Sequence, residues 1–400
     1  MADPSPPVPP SSGPPSATVL RPGDRGVGVA DLRARLEALG LLGPARSSDA
    51  DTFDAAVDRA VRAFQQDRGL TADGLVGPAT FRALEEARWE LGDRVLVHLP
   101  GSLQRGDDVF ALQRRLLDLG FKVGRVDGSY GAATESAVKE FQRNIGVPAD
   151  GTCGPATLKA LGRLAPLVQG GSPNALRAQE HLRQQGPLLP GKVVVIDAAP
   201  NQAPDADLRS MADEVTADLA RRVEGRLVAL GVQAYLTGLG AGVGGQDEED
   251  RADFANRAEA HLCISLQVDA SEAPEVCGTA AYFYGIESRG IRSSIGERFA
   301  GLVQREIVAR TDLADLRTHA RSWDLLRHTR MPAVRVDIGY VTNPGDTTRL
   351  ADPAFRDVVA EAVVVAVQRM YLTPEDDPHT GVLRLDELRA MAREQGLGLP

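Results

Sequence analysis

Three carboxylates stand at or near the ends of three apolar runs. Asp197 falls in KVVVIDA (192–198), Asp269 closes HLCISLQVD (261–269), and Asp337 falls in AVRVDIG (333–339). Runs this short and β-branched read as buried strands. The carboxyl ends of strands are where open α/β sheets take their ligands. Three carboxylates there would make an oxygen donor set for Mg²⁺ or Ca²⁺. The competing reading, which the residue types favour, has Asp197 capping a turn and Asp269 solvated at a strand end, with no cofactor bound. Cys263 alternates with apolar neighbours and reads as a core residue. No G-x-S-x-G elbow and no P-loop occurs anywhere in the sequence.

These carboxylates need a sheet to hold them. QAYLTG (233–238) and TAAYFYG (279–285) read as two further strands. Helical spacing falls near Met211–Leu230, Asp253–Glu259, Ser294–Arg310 and Pro353–Tyr371. Alternating strands and helices predict an α/β domain with a largely parallel sheet over 191–372.

The first half of the chain is an internal repeat. VGVADLRARLEALGLL (27–42) and AVRAFQQDRGLTADGLVGPATFRAL (60–84) return as DDVFALQRRLLDLGFKVGRVDGSYG (107–131) and AVKEFQRNIGVPADGTCGPATLKAL (137–161). Val29, Leu32 and Leu36 recur 80 positions later, and Phe64, Asp73-Gly74, Gly77-Pro78 and Thr80 recur 77 positions later. Each copy predicts three helices, over 19–90 and 98–165. The DG and GP pairs are turns, and the Thr after GP reads as the N-cap of the third helix. Residues 166–190 read as a linker and the Pro-rich stretch 1–18 as a disordered arm. Residues 373–400 read as a tail in which Leu383, Leu385, Leu388 and Met391 mark a short amphipathic helix. Thr380, and Thr373 before Pro374, are phosphorylation candidates.

Net charge is −10 with pI near 5.2, which argues against nucleic acid as a partner. No apolar run approaches ~20 residues, so no membrane span is expected. Three cysteines fit a reducing compartment, and residues 1–18 lack the basic start and apolar core of a secretory leader. The expected location is the cytoplasm.

The repeated units resemble the peptidoglycan-binding type 1 module; the second copy carries the full DGxxG…T…AV..FQ pattern from Asp127 to Gln142. From about Lys192 to Tyr371 the chain resembles the zinc-dependent N-acetylmuramoyl-L-alanine amidases (amidase type 3). The resemblance is carried by LLRHTRMPAVRVDIGYVTNPGD (325–346) and by Arg251 and Asn256. It implies a fold built to cut the amide between the muramic acid lactyl group and L-Ala. Such a site needs three zinc ligands, an open position and a nearby carboxylate base. The three ligand positions hold Pro200, Ala212 and Gln267 here, and the base position holds Asp337. Asp213 and Glu214 adjoin Ala212, but each step turns ~100° around a helix and aims them elsewhere. His261, His319 and His328 match none of the ligands. The resemblance thus implies a pseudoenzyme with no cofactor, or, as the alternative, an amidase whose zinc or other metal sits in a rebuilt site.

RTDLADLRTHARSWDLLRHTRMPAVRVDIGYVTNP (310–344) is similar to the cell-wall regulators of mycobacteria and related actinobacteria. That similarity implies a cytoplasmic protein controlled by a Ser/Thr protein kinase and stimulating a MurA-type enolpyruvyl transferase of peptidoglycan synthesis. A muropeptide or precursor is the alternative ligand. Of the regulators' tail phosphothreonines only Thr380 has a counterpart; the other two positions are Val382 and Arg384.

Overall fold

The computed structural model describes residues 19–43, 50–164, 179–180, 182–201, 203, 205–238 and 247–372. The arm 1–18, the tail with Thr373 and Thr380, and most of the expected linker lie outside the described residues. The chain forms two compact units, divided between Glu90 and Leu91.

The first unit is a three-helix module: α1 (Val27–Ala38), α2 (Ala55–Arg68) and α3 (Pro78–Ala87). Its core is Val29, Leu32, Leu36, Val57, Val61 and Phe64. The second unit begins with the repeat: α4 (Asp107–Asp118), α5 (Ala132–Ile145) and α6 (Pro155–Arg163) around Val109, Leu112, Leu116, Val138 and Phe141. Its edge reaches back to Leu96, which bridges Cys153 as Leu20 bridges Val76 in the first copy.

One side-chain device recurs three times. Gln142 sets its Nε2 against Asp150 Oδ1 (2.9 Å), the Thr152 carbonyl (3.0 Å) and Thr157 Oγ1 (3.2 Å), and its Oε1 accepts from the Gly151 amide (2.9 Å). Gln65 does the same with Asp73, Leu75, Thr80 and Gly74, and Gln113 with Asp127, Ser129, Thr134 and Gly128. The DG turn is thus closed by a buried amide with donors and acceptors met. Gly151 is required there: its φ is +77°, and a Cβ would lie 2.8 Å from Glu135 and Lys139 side-chain carbons. The fourth copy of the device is absent because Arg33 stands where Gln113 stands, bonding Thr52 O (2.9 Å) and Asp54 (3.1 Å) instead. The sequence of the first module correspondingly has no early DG pair. The expected Thr N-caps are corrected here. Gly77 and Gly154 cap α3 and α6, a Pro follows each, and the threonines serve the glutamine instead. Gln142→Ala is expected to cost about 2 kcal/mol, the loss of several buried hydrogen bonds with partial re-solvation. It should be read as a lowered denaturation midpoint and faster amide exchange at 150–157.

The α/β part follows. Its strands are β1 (Val193–Ala198), β2 (Gln233–Thr237), β3 (Leu262–Asp269), β4 (Thr279–Ile286), β5 (Ile291–Arg292), β6 (Asp315–Arg321) and β7 (Ala333–Tyr340). Its helices are α7 (Ala206–Ala229), α8 (Glu248–Arg257), α9 (Ser294–Arg310), α10 (Asp324–His328), α11 (Pro344–Ala351) and α12 (Pro353–Tyr371). The sheet order is β2-β1-β3-β7-β4-β5, with β6 also on β4. β2, β1, β3 and β7 run parallel, and β4 pairs antiparallel to β7. The sheet is therefore mostly parallel, as its uninterrupted apolar runs predict. Two helices start earlier than their apolar spacing suggests, because Asp205 and Asp247 cap α7 and α8 through side-chain acceptors. β6 is not evident in the sequence; it is a polar edge strand, DLRTHAR, with half-exposed alternation.

Side chains alternate across a strand. Val194, Ile196, Ile264, Leu266, Val334, Val336 and Ile338 therefore pack on one side against α7, α9 and α12. Val195, Cys263 and Ala333 face the other side, against Ala252, Ala255, Leu325 and Leu326 from α8 and α10.

Candidate functional site

The sheet register places Asp197 beside Ser265, Gln267 beside Asp337, and Asp337 beside Ala280. All these side chains share the face covered by α8 and α10, and so does Asp269, two residues beyond Gln267. One face thus carries Asp197, Asp269, Asp337 and Gln267, but not as one site.

Asp197 is fully buried and fully engaged. Its Oδ1 lies 2.8 Å from Arg251 Nε in an ion pair and accepts a hydrogen bond from Thr237 Oγ1 (2.8 Å), and its Oδ2 accepts from Ser265 Oγ (2.7 Å). It neither caps a turn nor joins Asp269 and Asp337 as a metal ligand, which corrects both expectations for it. An adjacent buried guanidinium satisfies the charge that a cation would need. Among the described residues no three His, Cys, Asp or Glu side chains converge as a metal set. Asn256, the other residue of the Arg251 pair, donates to the His328 carbonyl (2.9 Å) and accepts from the Arg330 amide (2.8 Å). Both residues therefore hold the fold rather than a ligand.

Asp337 is buried and has a neighbour that sequence reading missed. Arg335, two residues earlier and on the same face, ion-pairs with Asp337 (3.4 Å) and with Glu248 at the start of α8 (3.6 Å). Its guanidinium lies 4.3 Å from the Trp323 ring centre. Trp323 packs at 4.7 Å on Tyr282, whose hydroxyl hydrogen-bonds to Asp337, and Tyr282 packs at 5.7 Å on His319. Burial pushes the Asp337 carboxyl up to about 6; Arg335 opposes the rise and the Asp269 charge adds to it. The missed signal was an arginine inside a β-branched strand, two positions from an aspartate. An interior charge in such a run demands a partner.

The remaining positions are explicit. Pro200 is exposed and carries no donor atom. Ala212 is buried in the α7-side core. Of its acidic neighbours, Asp213 accepts from the Asn201 amide (2.7 Å) and pins the β1–α7 loop, while Glu214 is exposed. Gln267 is 5% exposed, and among the described residues nothing hydrogen-bonds its side-chain amide. His261 Nδ1 accepts from the Val193 amide (3.0 Å), and His319 Nε2 pairs with the Leu316 carbonyl (2.7 Å). Cys263 is buried in the core, its thiol pushed up by burial. A catalytic zinc takes three His, Cys or carboxylate ligands and keeps an open position. Proline, alanine and glutamine do not supply that set.

The fold defines a class: peptidoglycan-type helical modules followed by an amidase-type α/β domain. The putative peptidoglycan binding domain family matches 25–84 and 105–161, and the N-acetylmuramoyl-L-alanine amidase family matches 194–369. CwlM of Mycobacterium tuberculosis, named an N-acetylmuramoyl-L-alanine amidase, is 45% identical over 93% of this chain and 94% of its own length. The chain belongs to that family. CwlL of Bacillus licheniformis is 32% identical over 36% of this chain and 44% of its own length. The solved amidase AmiC2 of Nostoc punctiforme is 26% identical, covering 46% of this chain and 96% of its own, with a TM-score of 0.39. No helix of the described residues is long and apolar enough to cross a membrane.

Proposed function

We propose that this protein is a non-catalytic regulator of peptidoglycan synthesis, a pseudo-amidase. It acts in the cytoplasm, binding and stimulating a MurA-type enolpyruvyl transferase under Ser/Thr kinase control through the tail at Thr380. The observation that carries the non-catalytic part is the ligand loss: Pro200, Ala212 and Gln267 offer no zinc set, and Arg335 ties up the base position Asp337. Fold-carrying residues persist while chemistry-carrying ones do not, and fold and site are separable. The transferase and kinase come from the resemblance of 310–344 and of Thr380 to the actinobacterial regulators.

Purified protein is expected to hold no zinc by elemental mass spectrometry at micromolar metal and to release nothing from sacculi. After kinase treatment it should stimulate the transferase. A tightly bound zinc with sacculus digestion would return the protein to the hydrolases. A metal-free, inactive protein without effect on the transferase would leave the second reading, a peptidoglycan-fragment or precursor binder, which the two matched modules favour. Calorimetry with disaccharide-peptides measures that directly.

A further inference from the structure

The second helical module is bound into the α/β part largely by residues that the first module does not have. Arg125, between α4 and α5, donates to the carbonyls of Leu326, Arg327 (3.2 Å) and Met331 (3.3 Å), and lies 5.1 Å from the Tyr284 ring centre. Three carbonyls, two of them in the last turn of α10, are a favourable seat for a cation. Tyr284 Oη donates to the Val126 carbonyl (2.9 Å), and Arg327 Nε to the Asp127 carbonyl (2.6 Å). Arg289 forms a two-bond pair with Asp107 (3.0 and 3.1 Å) and lies 4.8 Å from the Phe110 ring centre. Arg114 donates to the Arg289 carbonyl (3.2 Å), and Arg105 pairs with Glu249 (3.0 Å). At the positions of Asp107, Phe110 and Arg114 the first module has Val27, Ala30 and Ala34, with no charge and no ring. The repeats keep their cores and differ along this face of the helix.

The same two elements that grip the module also grip the Arg335–Asp337 centre. Glu249 holds Arg105, and its chain neighbour Glu248 pairs with Arg335 and accepts from the Leu325 amide (3.2 Å). Segment 325–331 offers that amide to Glu248, carbonyls to Arg125 and the Arg327 side chain to Asp127. We propose that the second module is a positioning domain for this centre. Docked, it fixes the start of α8 and the end of α10, and through Glu248 and Trp323 it fixes Arg335 against Asp337; undocked, it releases them. Coupling of this kind is reciprocal, so a change at Arg335 must loosen the module as well. Nothing in this depends on whether the centre hydrolyses anything.

The test uses the full chain in a Trp89→Phe background, which leaves Trp323 as the only tryptophan. Arg125→Ala is expected to raise amide exchange at 248–251 and 325–332 about tenfold and to shift Trp323 emission to the red, with β1 and β3 unchanged. Arg105→Gln, at a half-exposed pair, should give the same pattern more weakly. Arg335→Leu should raise exchange at 105–110 and 124–130. If the module loosens while 248–251, 325–332 and Trp323 emission stay as in the parent, the proposal is overturned. Should Arg125→Ala unfold the whole unit, Arg105→Gln and Arg335→Leu decide: a response across the interface supports coupling, and a purely local one rejects it.

Discussion

Asp197→Ala is expected to destabilise the α/β part by about 3–5 kcal/mol, because it strands a buried guanidinium. Arg251 is 3% exposed and Asp197 fully buried. The carboxylate also accepts from Thr237 and Ser265, so the substitution leaves two hydroxyls unmet beside the stranded cation. For a cooperative unit of this size each kcal/mol lowers the melting temperature by ~2–4 °C, so a drop of about 10 °C should appear in calorimetry. Arg251→Ala should cost a similar amount by stranding the carboxylate. The double variant should cost clearly less than the sum, since each single change already breaks the same pair. An Asp197→Ala protein that melts within about 1 °C of the parent would show that water reaches the strand. In that case the carboxylate would be open to a cation after all.

How far the sequence revealed this molecule depends on the range of the interactions. The repeat was plain because its turns are local: a Gln, a DG pair and a Thr within one short segment close each lock. Four of the five expected strands were plain because their burial is nearly continuous, as in LCISLQVD, while β2 alternates and is mostly part-exposed. β6 was hidden because an edge strand needs no apolar run. The site was legible only as a set of losses. Pro200, Ala212 and Gln267 can be named by resemblance, but what replaced the lost chemistry lies in distant pairings. Arg335 meets Glu248, and Arg251 meets Asp197, across long stretches of chain. Periodicity marks Arg335 as anomalous in its strand but does not choose its partner. The same limit hid the docking of the second module. Asp107 and Arg114 look like an ordinary solvated helix face until β5 and the turn at Arg289 are in place.

Asp337→Asn carries the other large effect, and its sign depends on pH. Burial raises the folded carboxyl to about 6, against ~3.9 in an unfolded chain. Between those values the folded protein holds a proton that the unfolded chain has released. Low pH therefore favours the fold, and that contribution is lost as pH rises through about 6. A carboxyl raised this far disfavours the ionised fold by about 3 kcal/mol, a penalty that the wild type carries in full above pH ~7. Asparagine keeps the shape and a hydrogen-bond acceptor for Tyr282 without the charge, and Arg335 retains Glu248. The variant should thus gain stability over the wild type at pH 8, approaching about 3 kcal/mol, and the gain should vanish near pH 4. Denaturant midpoints at the two pH values measure it. A loss at both would mean that the Arg335–Asp337 pair outweighs the desolvation of its carboxylate. The same experiment bears on function. A general base is useful when free to take a proton near its working pH. With its carboxyl at about 6 Asp337 is mostly ionised at neutral pH, but Arg335 on one side and the Tyr282 hydroxyl on the other occupy the carboxylate. Its removal should therefore raise stability at neutral pH and, on the proposed non-catalytic role, leave release from sacculi at the parent's level.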